Sequence, residues 1–439
     1  MDLGKSIPEA GRDASMPIGL LGNLLWLIVG RVLRMGLGLA VGAWVARYLA
    51  PADFGELSYQ IAIVALFVAV AGGGLDGIVV RELLDRRREP GVVLGTAFIV
   101  RLALGAVLYL VLLVGYWCSM GGGSELMMVG LLGTDLVFQA AGVFDLSFQA
   151  RSANKWTVVA GTMALVAASS LRIGLILGKA GVVFFAAAVM FEAAVLAASL
   201  AFLYRRRFAE RERWQFQWDC ARALLAESWP MIVSAVAIAG YMRLDQVLLK
   251  ALAGDAAVGI YAVAVRLGEA WYFLPMFLGT SLNPWLIQGR ALGVGVYRRR
   301  LIRLYRITLW SSAGVAVLVA VMAEPVVHWL FGIQYLGAVV PLRLHVLGGV
   351  LLAVGIASGK WYVAEGHTVG LMRKALLGLF VGVFVSILLI PRYGIVGAAV
   401  GSVAGQLAAN VLYDFLDPRV RPQLTLKLHA LVPWTRDDQ

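Results

Sequence analysis

The 439-residue chain is short of the residues that do chemistry: it has four histidines and two cysteines, and only 15% of it is charged. No HExxH pair, Cys/His cluster or nucleophile elbow occurs, so neither a metal centre nor an enzyme's nucleophile is indicated. The phosphate-cradling pattern GxxxxGK(S/T) is also missing. Its nearest approach, "GLILGKA" ending at Ala180, has the wrong spacing, so nucleotide hydrolysis is not expected. Long runs such as "GLGLAVGAWVA" do not alternate, which removes a β-barrel built of roughly ten-residue alternating strands. Cys118 and Cys220 fall on opposite sides of the membrane in the topology given next, and no disulfide is implied.

What the chain does have is apolar length. It is 61% hydrophobic, whereas a soluble domain is about half apolar and a quarter charged. Stretches of roughly 20 apolar residues recur, each able to cross a hydrocarbon core of about 30 Å. The reading is an all-α polytopic membrane protein with about 12 transmembrane helices. The first, eighth and ninth are expected at 18–47, 257–284 and 300–322. Asp2, Glu9 and Asp13 precede a first run that lacks a small-residue cleavage site, so that run reads as a retained span. Alternate loops differ sharply in charge: one set holds Arg81, Arg86, Arg87, Arg88 and Arg205, Arg206, Arg207, the other only Arg47, Lys179, Lys250 and Arg392. The positive-inside rule then places both termini in the cytoplasm. The net charge of +12 is accounted for as a topology signal, without nucleic acid as a partner.

The longest polar segment divides the spans six and six. The expected organisation is a cytoplasmic N-terminus (1–17), an N-terminal six-helix bundle (18–204), a basic cytoplasmic linker (205–223), a C-terminal six-helix bundle (224–416) and a cytoplasmic tail (417–439). The halves echo each other. "FQARSANK" around Ala150 matches "YVAEGHTV" around Ala364, and "YLAPADFGELSY" matches "ALAGDAAVGIYA" more weakly. Because each half holds an even number of spans, both start on the same face, and their pseudo-two-fold axis lies along the membrane normal. Such duplication is the build of a two-bundle transporter.

Charges at depth are the candidates for function. Arg31 and Arg34 lie three apart near the middle of the first span, with no carboxylate between Asp13 and Asp53, and Arg243 and Arg266 lie in the seventh and eighth spans. Four central arginines cost about 10 to 14 kcal/mol on insertion scales, so they require partners or water. Arg243, Asp245, Arg266 and Glu269 lie at similar depth, which predicts a cross-helix network. Arg31 and Arg34, without local partners, suit an anionic substrate, with Arg243 and Arg266 as further substrate-binding candidates, because the guanidinium fork donates two parallel hydrogen bonds to phosphate. Asp76, Asp135, Asp145, Asp245 and Glu269 are further cavity or coupling candidates. In the fourth span Asp135, Gln139, Gly142, Asp145 and Gln149 form a polar stripe that either lines a wet cavity or holds a neighbouring helix. Trp271 and Tyr272 fit belt or packing positions, with stacking on sugar as the functional alternative. Pro275 and Pro284 are expected to break the eighth span.

The stretch "YMRLDQVLLKALAGDAAVGIYAVAVRLGEAWYFLPMFLGTSLNPWL" (241–286), with "VGAWVARYLAPADFGELSYQIAIVALF" (41–67) and "GLDGIVVREL" (74–83), resembles the bacterial oligosaccharide flippase, or polysaccharide transporter, family. That family belongs to a superfamily with multidrug-toxin extruders and the peptidoglycan lipid flippase. The resemblance implies two six-helix bundles that alternate between inward-open and outward-open states in the bacterial inner membrane. It also implies a polyprenyl diphosphate-linked oligosaccharide as cargo, delivered outward to a polymerase or ligase. Arg243, Asp245, Gln246, Tyr261, Arg266 and Glu269 stand at family positions. No cofactor is implied beyond a possible coupling H+ or Na+. A cation-coupled multidrug antiporter of the same architecture is the alternative, disfavoured by the basic first span. A membrane glycan polymerase or ligase is the third class, disfavoured because the outer loops are short, apart from a stretch around Glu324 to Gly337.

Overall fold

Lipid offers no hydrogen bonds, so a spanning segment must satisfy its backbone internally, and these apolar runs therefore fold as helices. The computed structural model describes residues 18–120, 122–208 and 213–432, and among these no strand occurs. Eleven helical runs among the described residues are long and apolar enough to cross a membrane. The first contains two legs, because the helix Ile18–Ala71 is interrupted at Ala50 (φ 61°, ψ 171°). These legs are spans 1 and 2. Spans 3, 5, 6 and 7 are Pro90–Met120, Lys155–Leu177, Val182–Phe208 and Trp218–Ala253. Spans 9, 10 and 11 are Val294–Phe331, Val339–Ala364 with the preceding turn Ile333–Ala338, and Thr368–Tyr393. Span 4 is built of Ser124–Gly133, Asp135–Phe138, Gln139–Ala141 and Gly142–Ala150; span 12 runs from Ile395–Leu407 through Ala408–Leu412 to Tyr413–Leu416.

Span 8 breaks as its prolines require. Its pieces are Asp255–Glu269, Phe273–Ser281 and Asn283–Ala291. Pro275 cannot donate to the Trp271 carbonyl four residues back, so the helix opens over 270–272, and Pro284 opens the next piece at its first turn.

Two faces result. The basic face carries the arginine-rich connections. On the opposite face the connections are short among the described residues, with positive φ at Ala50, Gly123, Lys179, Gly254, Gly332 and Gly394. The stretch Glu324 to Gly337, expected as a longer loop, is also compact. Span 9 continues as helix to Phe331, with Pro325 inside it, and Gly332 alone makes the turn. Helical hydrogen bonding carries span 9 well beyond the expected 300–322 at both ends.

The two halves meet on a symmetric crossing. Ala50 and Gly254 share one backbone conformation (Gly254 φ 82°, ψ 179°), and five residues beyond each lies a glycine. A Cβ on Gly55 would lie 1.9 Å from the Asp255 carbonyl oxygen, and a Cβ on Gly259 would lie 2.0 Å from the Pro51 carbonyl oxygen. Pro51 and Asp255 are themselves equivalent positions, so the contact is reciprocal about the pseudo-two-fold axis. Small residues let backbones approach this closely where lipid supplies no hydrophobic drive.

The segment between the halves is shorter than the polar stretch 205–223. Span 6 runs through Arg205, Arg206 and Arg207, and residues 213–217 form an extended strap. Trp214 anchors it, donating to the Tyr204 hydroxyl at 2.9 Å and stacking on Phe144. Cys220 and Leu224, at the start of span 7, are buried with Leu75, Val79 and Leu94 of the first half. Farther along, Gly240 and Tyr241 of span 7 pack on Leu379 and Gly378 of span 11. Span 7 therefore changes lobes along its length, with Pro230 between the two regions. In the tail, Arg421–Leu431 is a helix docked on the second half through Tyr305 to Gln423 (2.6 Å) and Lys427 to Asp414 (2.6 Å). The segment 1–17 lies outside the described residues.

Candidate functional site

A cavity of about 350 Å³ lies between the halves. Span 2 lines it with Phe54, Ser58, Ile61, Ala62 and Ala65, span 7 with Arg243 and Gln246, and span 8 with Arg266, Glu269 and Ala270. One wall is thus small and apolar, and the other is charged. At a rise of about 1.5 Å per residue, Arg243 and Arg266 lie roughly 15 to 17 Å from the opposite-face turn, near the middle of a 30 Å core. The Gly55–Gly259 crossing lies between the cavity and that face.

The predicted network forms in part. Arg243 donates to a Glu269 carboxylate oxygen at 2.9 Å, with both side chains partly accessible. Asp245 is turned away from both. It is buried and accepts from the Tyr261 hydroxyl at 2.5 Å and from the Gln246 backbone N–H at 2.8 Å. Asp245 is two residues, or about 200°, around the helix from Arg243, so the two cannot face one partner. Tyr261 is completely buried, and Gln246 is nearly so.

Arg266 takes no part in the expected pairing. Among the described residues it has no carboxylate within 4.0 Å. Its guanidinium carbon stands 5.8 Å from the Phe54 ring centroid, and it occupies the space where a side chain on Gly42 would be, 2.7 Å from that position. The side chain is exposed although it lies deep between the halves, because it faces the open cavity. Arg172 of span 5 and Glu192 of span 6 form an ion pair at 2.6 Å, near enough for their charges to act on Arg266. The same search for charge at depth that finds Arg243 also finds Arg172 in "SSLRIG" and Arg101 in "FIVRLAL", neither of which the sequence reading singled out.

The other candidates are dispersed. Arg34 donates to the Val158 carbonyl at 3.0 Å and the Thr162 hydroxyl at 3.2 Å, within seven residues of the basic-face end of span 5. It therefore lies toward the basic face, not in the middle of the membrane, and outside the Arg243–Arg266 wall. The Arg31 side chain lies outside the described residues. Asp76 pairs with buried Arg101 at 2.5 Å, a contact within the first half. Asp135 accepts from Gln139 at 3.2 Å, and Asp145 accepts from Gln149 at 2.8 Å and from the Thr157 hydroxyl. The span 4 stripe thus satisfies itself and ties span 5. Trp271 and Tyr272 are buried, packed at Gly349 and, for Tyr272, stacked on His345, rather than lining the charged cavity. Trp271 instead borders a second, almost wholly apolar cavity of about 390 Å³ between spans 1, 8 and 9, which shares Ala270 with the first.

The opposite face is tied shut across the halves. Lys250 of span 7 bonds Asp255 and lies 3.7 Å from Glu125 of span 4. The Tyr335 hydroxyl donates to the Ala46 carbonyl at 2.7 Å, and Arg47 donates to the His328 and Trp329 carbonyls.

A duplicated twelve-span bundle around a central cavity is a transporter architecture, and known structures share it. The chain is similar to a multidrug resistance MATE family transporter of the MOP superfamily in an inward-facing conformation. That match has a TM-score of 0.70 and 17% identity, over 90% of this chain and 96% of that one. It is also similar to the lipid II flippase MurJ in an inward closed conformation, with a TM-score of 0.69 and 12% identity over 94% of each chain. The MATE multidrug transporter DinF-BH gives 0.68 and 14%, over 94% of this chain and 100% of that one. The chain shares the fold of these structures. Residues 20–290 match the model of the polysaccharide biosynthesis protein family, and the chain belongs to that family. No curated protein sequence matches it significantly.

Proposed function

We propose that this protein is a flippase that moves a polyprenyl diphosphate-linked oligosaccharide from the cytoplasmic to the outer leaflet of a bacterial inner membrane by alternating access. The observation that carries the reading is Arg266, a mid-membrane cation with no carboxylate in ion-pair range, exposed to a cavity between two halves. An unneutralised arginine at that depth costs about 2.5 to 3.5 kcal/mol unless water or a counter-anion compensates it. A diphosphate is such an anion, and the guanidinium fork matches its oxygens. The apolar cavity beside the charged one offers room for the start of the polyprenyl chain, so one substrate of mixed character suits both.

In this reading the tied opposite face is the outer one and the basic loops are cytoplasmic, as the positive-inside rule requires. Binding must weaken when the halves rock outward, or the cargo would not leave. Coupling to H+ or Na+ and hand-over to a polymerase or ligase complete the proposal. Cargo specificity is supported by family membership and by the cationic wall, which opposes an organic cation.

The test is translocation of a labelled polyprenyl diphosphate oligosaccharide in proteoliposomes, read by enzymatic access to the sugar from outside. Transport by the intact protein and its loss in Arg266→Gln are expected. Transport of lipophilic cations instead, with the glycolipid left in place, would establish the antiporter reading.

A further inference from the structure

The second half holds a charge cluster that neither the cavity nor the proposed transport uses. Asp414, at the basic-face end of span 12, is almost fully buried and accepts from Lys427 of the C-terminal helix at 2.6 Å. Lys427 also donates to the Asn410 carbonyl at 2.8 Å, inside the π-helical turn Ala408–Leu412. A second ammonium reaches the same turn. Lys374 of span 11 is buried, donates to the Asn410 side-chain oxygen at 3.4 Å and stands 5.3 Å from the Tyr362 ring. The charges of Asp414 and Lys427 both act on it. The remaining polar contact of Asp414 comes from span 10, whose Tyr362 hydroxyl donates to it at 3.4 Å. Two buried lysines therefore face one carboxylate.

The cluster belongs to the half that carries the C-terminal helix. The repeat sets Ala160 against Lys374, and through the match of Gly181 with Gly394 it sets Ala197 and Ala201 against Asn410 and Asp414. Three alanines thus stand in the first half where the second has a lysine, an amide and an acid. Beside the cluster the C-terminal helix also holds span 9: Gln423 accepts from Tyr305, and the His429 carbonyl accepts from Arg306 at 3.4 Å. The helix Arg421–Leu431 therefore clamps span 9 to span 12.

One lysine is enough to satisfy Asp414 while the helix is docked. If Lys427 were its sole cation, undocking would strand a buried carboxylate, and a buried charge that loses its partner is strongly disfavoured. Lys374 changes that, because Asn410 and Asp414 lie one helical turn apart and a flexible four-carbon stem swings from one to the other. We propose that the C-terminal helix is a releasable clamp on spans 9 and 12, and that Lys374 takes over Asp414 while the clamp is open. The exchange keeps the acid paired in both states. It does not depend on what the protein carries, so it stands or falls apart from the glycolipid reading.

The two lysines should act in opposite directions. Ala430 is buried against Leu301 and Tyr305 of span 9, so in the full chain carrying A430C a soluble maleimide reaches the new thiol when the helix undocks. Alkylation is followed by peptide mass spectrometry in detergent. K427M removes the hold on Asp414 and should speed alkylation roughly tenfold, whereas K374M should slow it by a similar factor, because undocking would then leave Asp414 alone. Faster alkylation in both variants, or no change in K374M, would reduce Lys374 to a packing residue and overturn the proposal. Abundance supplies a second readout. Each single variant keeps an ammonium for Asp414 and should accumulate as the parent does, while K374M/K427M should fall far below what the two single variants predict together. Adding D414N to the pair should restore it. Depletion of K427M alone to the level of the pair would show that Lys374 does not take over, and the proposal would fail.

Discussion

Gly55 and Gly259 occupy equivalent positions of the two halves, and each packs against the backbone of the other's helix. Gly55 lies under the Asp255 carbonyl, and Gly259 lies under the Pro51 carbonyl. The obstruction to any larger residue is backbone on both sides, so neither side chain nor rotamer can yield. Gly55→Val and Gly259→Val should each lose at least about tenfold in transport, since overpacking costs about 1 to 3 kcal/mol in the closed state alone. A cysteine at Ser58 should then label from the opposite face, and unchanged protection would refute this role for the crossing.

Arg243 and Arg266 should separate by abundance. Arg243→Gln leaves Glu269 unpaired at depth and should lower the amount of inserted protein, by an amount corresponding to about 3 to 5 kcal/mol. The added change Glu269→Gln should restore it. Arg266→Gln removes a charge that has no ion-pair partner, so abundance should hold or rise while transport falls. Immunoblotting beside the proteoliposome assay decides, and equal depletion of both single variants would contradict the assignment.

Lys250 joins Asp255 to Glu125 across the halves at the opposite face. Replacing it with Met should free that closure. The expected outcome is a several-fold rise in thiol labelling of cysteines near Tyr59, and higher salt should produce a weaker version of the same effect in the parent, because exposed ion pairs are screened. A labelling pattern that ignores both changes would show that the closure rests on packing.

Ala50 holds φ 61° with ψ 171°, a region nearly reserved for glycine that costs about 1 to 3 kcal/mol for other residues. Gly254 already fills the equivalent turn. Ala50→Gly is therefore expected to raise thermal stability in detergent, by up to about 1 to 2 kcal/mol after the entropy cost of a more flexible unfolded chain. A lower melting temperature would show that the turn is not strained.

Much of this is legible in the residues. Apolar length and loop charge define the spans and the two faces. The Arg243–Glu269 pair follows from equal depth. Depth alone does not reveal azimuth, however. Asp245 shares a depth with Arg243 yet faces Tyr261, and Arg266 looks into the cavity rather than toward an acid. The lobe boundary departs from the polar one for a related reason: polar composition marks where the chain leaves the membrane, whereas Cys220 and Leu224 are assigned to the first half by packing that no local pattern encodes. Arg34 lies shallower than its place in the apolar run suggests, because span 1 has no sharp polar boundary at its basic-face end.

The tight turns of the opposite face carry a consequence for what meets the protein from that side. Connections this short leave little peptide, among the described residues, for a protease to draw into its cleft or for an antibody to grip. Surface digestion of intact cells should leave the chain whole. In the proposed orientation, a protein that approaches from the outer side would find chiefly lipid and helix ends, so on that side the chain offers little to recognition.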